Sequence, residues 1–235
     1  MDYSEYLDIV DNTTTINGMQ ATYKELKGLK LADNGNYMYQ GQKITLPANI
    51  NIIGTNAFYN KTNIKYVFVA KNSSLLKING NAFRGDSSYS RSKVEFFDFK
   101  NCKKLYELAE QVFFNGGLKP SLYGENGVIN LPDGLTNIGR SCFNNCFIAE
   151  NHIINFYIPS SVKNMKQYAI AHFENTVRSN VYIGAEGDFS NLIIDSGEKP
   201  LISSNASNNN TKDIGTVTIY TNKYAETDLV NHFIG

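Results

Sequence analysis

Five times along the chain an apolar residue is followed four places later by a small or medium apolar residue and five places later by a large one. The instances are Ile53-Ala57-Phe58, Ile78-Ala82-Phe83, Leu108-Val112-Phe113, Ile138-Cys142-Phe143 and Met165-Ala169-Ile170. The large residues lie 25, 30, 30 and 27 positions apart. A period in that range denotes stacked supersecondary units, none of which buries its own apolar side alone, so a continuous core forms only where neighbours pack. The spacing therefore predicts a solenoid. Solenoids work by presenting a long surface, which turns the functional expectation toward recognition or scaffolding before catalysis.

Between the phrases lie short alternating segments: Ile44-Thr45-Leu46, Val67-Phe68-Val69, Phe97-Asp98-Phe99, Ile129-Asn130-Leu131, Phe156-Tyr157-Ile158, Val181-Tyr182-Ile183 and Val217-Thr218-Ile219. A period of two, β-branched and aromatic content, and flanking turn residues identify half-buried strands, one per repeat. Pro47, Pro132 and Pro159 follow strands directly, where a missing N–H ends pairing and a fixed φ starts the turn. The phrase itself reads as a single helical turn. Asn60, Gly85, Asn115-Gly116 and Asn144-Asn145 after the large residue supply the left-handed backbone that such a turn needs at its end.

The segment Leu131-Pro132-Asp133-Gly134-Leu135-Thr136-Asn137-Ile138-Gly139, then Cys142-Phe143-Asn144-Asn145-Cys146, with Ile158-Pro159-Ser160-Ser161-Val162 opening the next unit, resembles the BspA-type leucine-rich repeat. Ile53-Gly54 with Ala57-Phe58, and Ala82-Phe83-Arg84-Gly85, match the same pattern, and the resemblance covers Lys43 to Gly184. The fifth unit is looser, with Met165 for Ile, Lys166 for Gly and Ile170 for Phe. The resemblance implies a β-rich α/β solenoid, right-handed and curved, with a concave parallel sheet and short helical turns on the convex side. It also implies a kind of protein, since carriers of these repeats are mostly adhesins, surface proteins or phage-associated proteins without catalytic residues.

The expected organisation is an N-terminal cap over 1–42, a solenoid of about five repeats over 43–184, and a degenerate repeat with a C-terminal cap over 185–235. A cap is required because an exposed solenoid end leaves apolar side chains and an open sheet edge in water. Within the first cap, Tyr23 to Leu31 reads as a short helix interrupted by Gly28. In the second, Tyr224-Ala225 and Leu229-Val230 follow the last strand. The insertions Asp86 to Ser92 and Pro120 to Asn126 read as polar, mobile projections from one face.

Charge and composition narrow the partners. The 22 basic and 22 acidic residues cancel, which leaves no overall field for nucleic acid or an anionic membrane surface. No run approaches the roughly 18 apolar residues of a membrane span. Met1-Asp2-Tyr3-Ser4-Glu5-Tyr6 is acidic and aromatic where a secretory leader starts basic and turns apolar. Either the chain does not use the general secretory route, or a leader precedes the first residue given. The three cysteines sit at core register positions: Cys142 where three other repeats have alanine, Cys146 at the following turn, and Cys102 before Leu105. They are read as small buried residues, unpaired and metal-free, and no cofactor is expected.

Arg84-Gly85-Asp86 spells an integrin-binding tripeptide, but the register already accounts for Gly85 as a turn residue and Arg84 as its variable neighbour. His152, His172 and His232 fall in different units with no paired nucleophile or acid, so no catalytic constellation is visible. Asp33-Asn34-Gly35-Asn36 lacks the spacing of a calcium loop and reads as a turn. The more informative set follows from strand alternation. Residues facing out from the sheet are Thr45, Phe68, Asp98, Asn130, Tyr157, Tyr182 and Thr218 at strand centres, with Tyr66, Phe96, Asn155 and Tyr220 beside them. Parallel strands about 4.8 Å apart stack these into an aromatic-rich ladder, suited to gripping a protein or a glycan and equally able to stabilise the sheet itself. The chain is expected to be a non-enzymatic recognition module, adhesion-like. The alternative is a structural component of a bacteriophage virion, whose faces pack against neighbouring subunits. The absence of a leader and anchor favours the second, and the usual surface role of such repeats favours the first.

Overall fold

The computed structural model of the chain describes residues 2–16, 18–59, 63–85, 94–147, 153–170, 178–183 and 217–220. It is a parallel β-solenoid. Each coil contributes two strands, one more than the sequence predicts, because the phrase read as a helical turn opens with a two-residue strand. An antiparallel hairpin, β1 (Leu7–Ile16) and β2 (Met19–Leu29), precedes the first coil. The coils then alternate β3 (Lys43–Leu46), β4 (Ile52–Ile53), β5 (Tyr66–Val69), β6 (Lys77–Ile78), β7 (Phe96–Phe97), β8 (Glu107–Leu108), β9 (Val128–Asn130), β10 (Asn137–Ile138), β11 (Ile153–Ile158) and β12 (Asn164–Met165). Strands β13 (Arg178–Ile183) and β14 (Val217–Tyr220) follow.

The phrase begins on the last residue of a two-residue strand and continues as an open turn, not a helical one, because the N–H of its large residue bonds between coils. The N–H of each large residue donates to the carbonyl of the small residue one coil ahead: Phe58 to Ala82 at 2.8 Å, Phe83 to Val112 at 2.9 Å, Phe113 to Cys142 at 2.8 Å and Phe143 to Ala169 at 2.7 Å. A helical turn would spend those N–H groups within its own coil. The only helical segments among the described residues are short 3-10 turns, Ser4–Tyr6 and Pro120–Tyr123. The small residues, Ala57, Ala82, Val112, Cys142 and Ala169, are fully buried, and the large residues pile up in register. Phe58 and Phe83 stack at 5.2 Å between centroids, Phe83 and Phe113 at 5.3 Å, Phe113 and Phe143 at 5.2 Å, with interplanar angles of 7, 8 and 14°. All four rings are essentially inaccessible to solvent.

The tight return after each two-residue strand requires a left-handed residue, and it falls at one register position throughout. Asn56, Asn81, Gln111, Ser141 and Tyr168, each three places after the phrase's first residue, have φ of 59, 59, 55, 53 and 56°. Of the positions after the phrase where the sequence places left-handed residues, Asn115 and Asn145 adopt that conformation and Gly85 does not, while Asn60 lies outside the described residues. Non-glycine residues in this region carry a steric cost of roughly 1–2 kcal/mol, least for asparagine.

The hairpin corrects the reading of Tyr23 to Leu31 as a helix. Lys24-Glu25-Leu26-Lys27-Gly28-Leu29 forms strand β2 because β1 and β4 lie on its two sides, and two ladders outweigh local helix propensity. Gly28 does not interrupt a helix but sits at a bulge opposite Asp8 and Ile9, with φ of 148° and the space for a β-carbon only 2.7 Å from the Ala57 carbonyl oxygen. The hairpin joins the sheet of short strands, in the order β1-β2-β4-β6-β8-β10-β12. The longer strands make two further sheets, β3-β5-β7 and β9-β11-β13-β14. Inside these walls the apolar core is one continuous cluster from Leu7 to Val181.

Two substitutions test this account. Phe113→Ala, which removes the ring stacked between Phe83 and Phe143, is expected to cost about 3–5 kcal/mol in chemical denaturation; a loss under about 1 kcal/mol contradicts the stack. Asn56 is exposed and left-handed, so Asn56→Val is expected to lose about 1–2 kcal/mol whereas Asn56→Gly leaves stability unchanged or higher.

Candidate functional site

The candidate site is the outer face of the longer strands. Alternation works as the sequence indicates: Ile44, Leu46, Val67, Val69, Phe97, Ile129, Phe156 and Ile158 are buried, while Thr45, Tyr66, Phe68, Phe96, Asp98, Asn155, Tyr157 and Tyr182 are partly exposed and Asn130 is exposed. Register aligns Lys43, Tyr66 and Phe96 in one row and places Phe68 beside Thr45. Further along, Asn130, Tyr157, Tyr182 and Tyr220 share a row, and Asn155, Asn180 and Thr218 share the next. This shifts the last strand by two residues from the sequence reading, which paired Thr218 with Tyr182. For Thr218 and Tyr220 the description covers the backbone alone.

The ladder is not continuous. Its first part is an aromatic cluster: Phe68 and Phe96 at 5.4 Å between centroids, Phe96 and Tyr123 at 4.9 Å, with the Lys43 ammonium 4.6 Å from the Phe68 centroid. Such a cation over a ring face adds about 0.5–1 kcal/mol at an exposed position. Its second part is a pair, Tyr157 and Tyr182, stacked at 4.4 Å and 6°. The Tyr182 hydroxyl donates to Asn155 Oδ1 at 3.5 Å, and Asn155 Nδ2 donates to the Asn126 carbonyl at 2.6 Å, so the pair is fixed from below.

Between the two parts the sheet opens. Coils three and four stay hydrogen-bonded through β8 and β10, yet β7 and β9 end different sheets. The segment read as a polar, mobile insertion at Pro120 to Asn126 is what parts them. Pro120 is buried, Pro120–Tyr123 makes a 3-10 turn, and the Tyr123 hydroxyl both accepts from Phe97 N–H at 3.1 Å and donates to Phe97 carbonyl at 3.4 Å. It thereby satisfies the two backbone groups that a neighbouring strand would otherwise meet, and burial pushes the phenol above its ordinary range. A cleft of about 800 Å³ results, with Asp98, Lys100 and Lys103 on one side and Asn130 and Asp133 on the other. Of these, the sequence reading chose Asp98 and Asn130 as ladder residues and missed Tyr123, Lys100, Lys103 and Asp133. The one available signal was Leu122-Tyr123, an apolar pair inside an otherwise polar insertion.

Other candidates resolve into structure. Arg84 donates to Asn81 Oδ1 at 3.1 Å and Gln111 Oε1 at 2.8 Å, lies over the Phe114 and Tyr59 rings, and its neighbour Gly85 donates its N–H to Phe114 carbonyl. A guanidinium held this way is not presented to a receptor; Asp86 to Ser92 lie outside the described residues. Asp33 to Asn36 form a turn, with Asn36 N–H on Asn34 Oδ1 and Gly35 left-handed. His152, His172 and His232 also lie outside the described residues, as do Asn60 and the cap residues Tyr224 and Leu229. Among the described residues no three His, Cys, Asp or Glu side chains group as metal ligands. No helix there is long and apolar enough to cross a membrane.

Cys102, Cys142 and Cys146 are buried thiols that form no disulfide with one another. Burial, with the Asp98 carboxylate nearby, pushes the Cys102 thiol up to about 12, and burial likewise raises Cys142. A thiol so far from ionisation is a poor nucleophile. In native protein at pH 8, iodoacetamide is expected to leave all three unmodified over an hour, and to add to all three in denaturant, as read by mass spectrometry. Rapid native labelling of Cys102 or Cys142 contradicts their burial.

The family of the chain follows from these repeats. The family model for the BspA type leucine rich repeat region matches residues 30–119 and 123–187 in six copies, one more than the five phrases, and the chain belongs to that family. Among solved structures it is similar to a leucine-rich repeat protein from Bacteroides ovatus ATCC 8483, with a TM-score of 0.47, 18% identity and coverage of 77% of this chain and 43% of that one. It is also similar to a leucine rich cell surface protein from Faecalibacterium prausnitzii A2-165, with a TM-score of 0.48, 19% identity and coverage of 88% of this chain and 45% of that one. The chain thus spans less than half the length of either. No curated protein matches it by sequence.

Proposed function

We propose that the chain is a non-enzymatic recognition module that binds a protein or glycan partner, in a surface-related setting, through the outer face of its longer strands. The observation that carries this reading is the Tyr157–Tyr182 pair. Two rings are held 4.4 Å apart and parallel on an outward face, and both side chains stay only partly buried. Rigid aromatics that stay partly exposed lose little entropy on contact, and tyrosine is among the residues most enriched at binding hot spots. The same face keeps Tyr66, Phe68 and Phe96 only partly covered. Family membership supports the class of function, since its proteins are repeat proteins whose surfaces, not a fixed catalytic set, vary.

The test compares wild type with Tyr157→Ala/Tyr182→Ala on a printed oligosaccharide panel and on immobilised extracellular glycoproteins. Any ligand bound by the wild type is expected to lose at least about 2 kcal/mol of affinity in the double variant, with the melting temperature preserved because both side chains face outward. Undiminished binding by a folded double variant overturns the assignment of this face. If sedimentation shows instead that the tyrosines govern ordered self-association, the assembly reading replaces it.

A further inference from the structure

The cleft between β7 and β9 has a chemistry of its own. Parallel strands bond through alternate residues to each side. On β9, Gly127 carbonyl accepts from Asn155 N–H at 3.0 Å and Leu131 N–H donates to Tyr157 carbonyl at 3.1 Å, so this register of residues faces β11. Val128 and Asn130 therefore turn their backbone N–H and C=O the other way, into the cleft, where β9 is the last strand of its sheet. The facing strand does not compete for them: Asp98 N–H is bonded to Val67 carbonyl, and the Phe97 groups are taken by Tyr123. One edge is open and the other is closed by a side chain.

We propose that this cleft docks one extended peptide segment, which pairs its backbone with the open edge of β9 and is aligned by charge across the two lips. An extended backbone offers donors and acceptors at the two-residue spacing that Val128 and Asn130 present, which a sugar ring does not. An apolar side chain of the segment meets Phe99, Leu131 and Tyr123 on the cleft wall. Direction comes from the rims. Lys100 and Lys103 make no ion pair among the described residues. The nearby Asp98 carboxylate accepts from Lys100 N–H at 2.9 Å, closing its own turn. Asp133 stands on the opposite lip. A segment with an acidic side chain toward the lysines and a basic one toward Asp133 is held one way round. The proposal rests on the reading of the chain as a recognition module, but takes the free backbone edge of β9, one strand away from the tyrosine pair on β11 and β13.

A displayed library of random twelve-residue peptides, selected on the wild-type protein with counter-selection on Asn130→Pro, tests it. That substitution removes an N–H facing the cleft and leaves the β9–β11 ladder intact, since proline is tolerated on a sheet edge. The most enriched peptide is synthesised and its affinity read by fluorescence anisotropy. Expected results are at least a tenfold loss on Asn130→Pro, at least fivefold on Lys100→Glu/Lys103→Glu, and no change on Tyr157→Ala/Tyr182→Ala. N-methylation of the peptide one residue at a time is expected to weaken binding at alternate positions. The double lysine variant keeps the backbone unchanged, so it carries the test if Asn130→Pro melts early. The proposal is overturned if selection yields no peptide that discriminates these variants, if N-methylation shows no alternation, or if the selected peptides depend on the tyrosine pair. It is also overturned if chitohexaose, used as the oligosaccharide probe, binds the cleft and displaces them.

Discussion

Phe58, Phe83, Phe113 and Phe143 each give their N–H to the small residue of the next coil, and the rest of the molecule is arranged so that this bond can recur. Because the bond joins equivalent positions, rings that follow it are carried into register and stack at 5.2–5.3 Å, close to the spacing of the strands themselves. The side chain at the accepting position is fully buried, which favours a small or medium apolar residue there. The chain must also turn sharply just before it, which places a left-handed residue at the same point of every described coil. Core, turn and strand spacing are one constraint seen three ways.

The side of the solenoid built from the short strands shows the same economy at its polar surface. Equivalent side chains of successive coils meet as partners: Lys77 with Glu107 at 2.8 Å, Asn164 with Asn137 at 2.7 Å, and Asn145 with Asn115 at 2.9 Å. Half-exposed pairs of this kind add a few tenths of a kcal/mol each. Their greater effect is on register, since a slip by one residue would place unlike side chains opposite one another. That sheet runs unbroken from the hairpin to β12, and so it can hold adjacent coils together where the other side parts.

Variation therefore falls on the longer strands, where a coil can open without losing its stack. The Pro120–Tyr123 turn uses this freedom: one hydroxyl satisfies the backbone of Phe97 and leaves the edge of β9 unpaired. An edge and a stacked pair of rings are different kinds of binding element. Backbone edges recognise extended chains of many sequences, whereas fixed aromatic faces recognise shape.

The period of the phrase was legible in the sequence because the core residues recur at fixed offsets, and those offsets follow from local covalent spacing. For the same reason alternation correctly assigned the outward faces of Phe68, Tyr157 and Tyr182. Three features were not legible. The phrase is not a helical turn, and Tyr23 to Leu29 is strand and not helix, because their N–H groups find partners in another coil or in the hairpin, and no local pattern distinguishes such a partner from one four residues away. The left-handed position carries Asn, Asn, Gln, Ser and Tyr, so sterics imposed by the coil, not residue preference, put it there. The cleft depends on where a single hydroxyl, Tyr123 Oη, comes to rest against Phe97. Sequence determined which residues are core and how often the coil repeats; only the folded chain decided which backbone groups pair, and so which edge remains open.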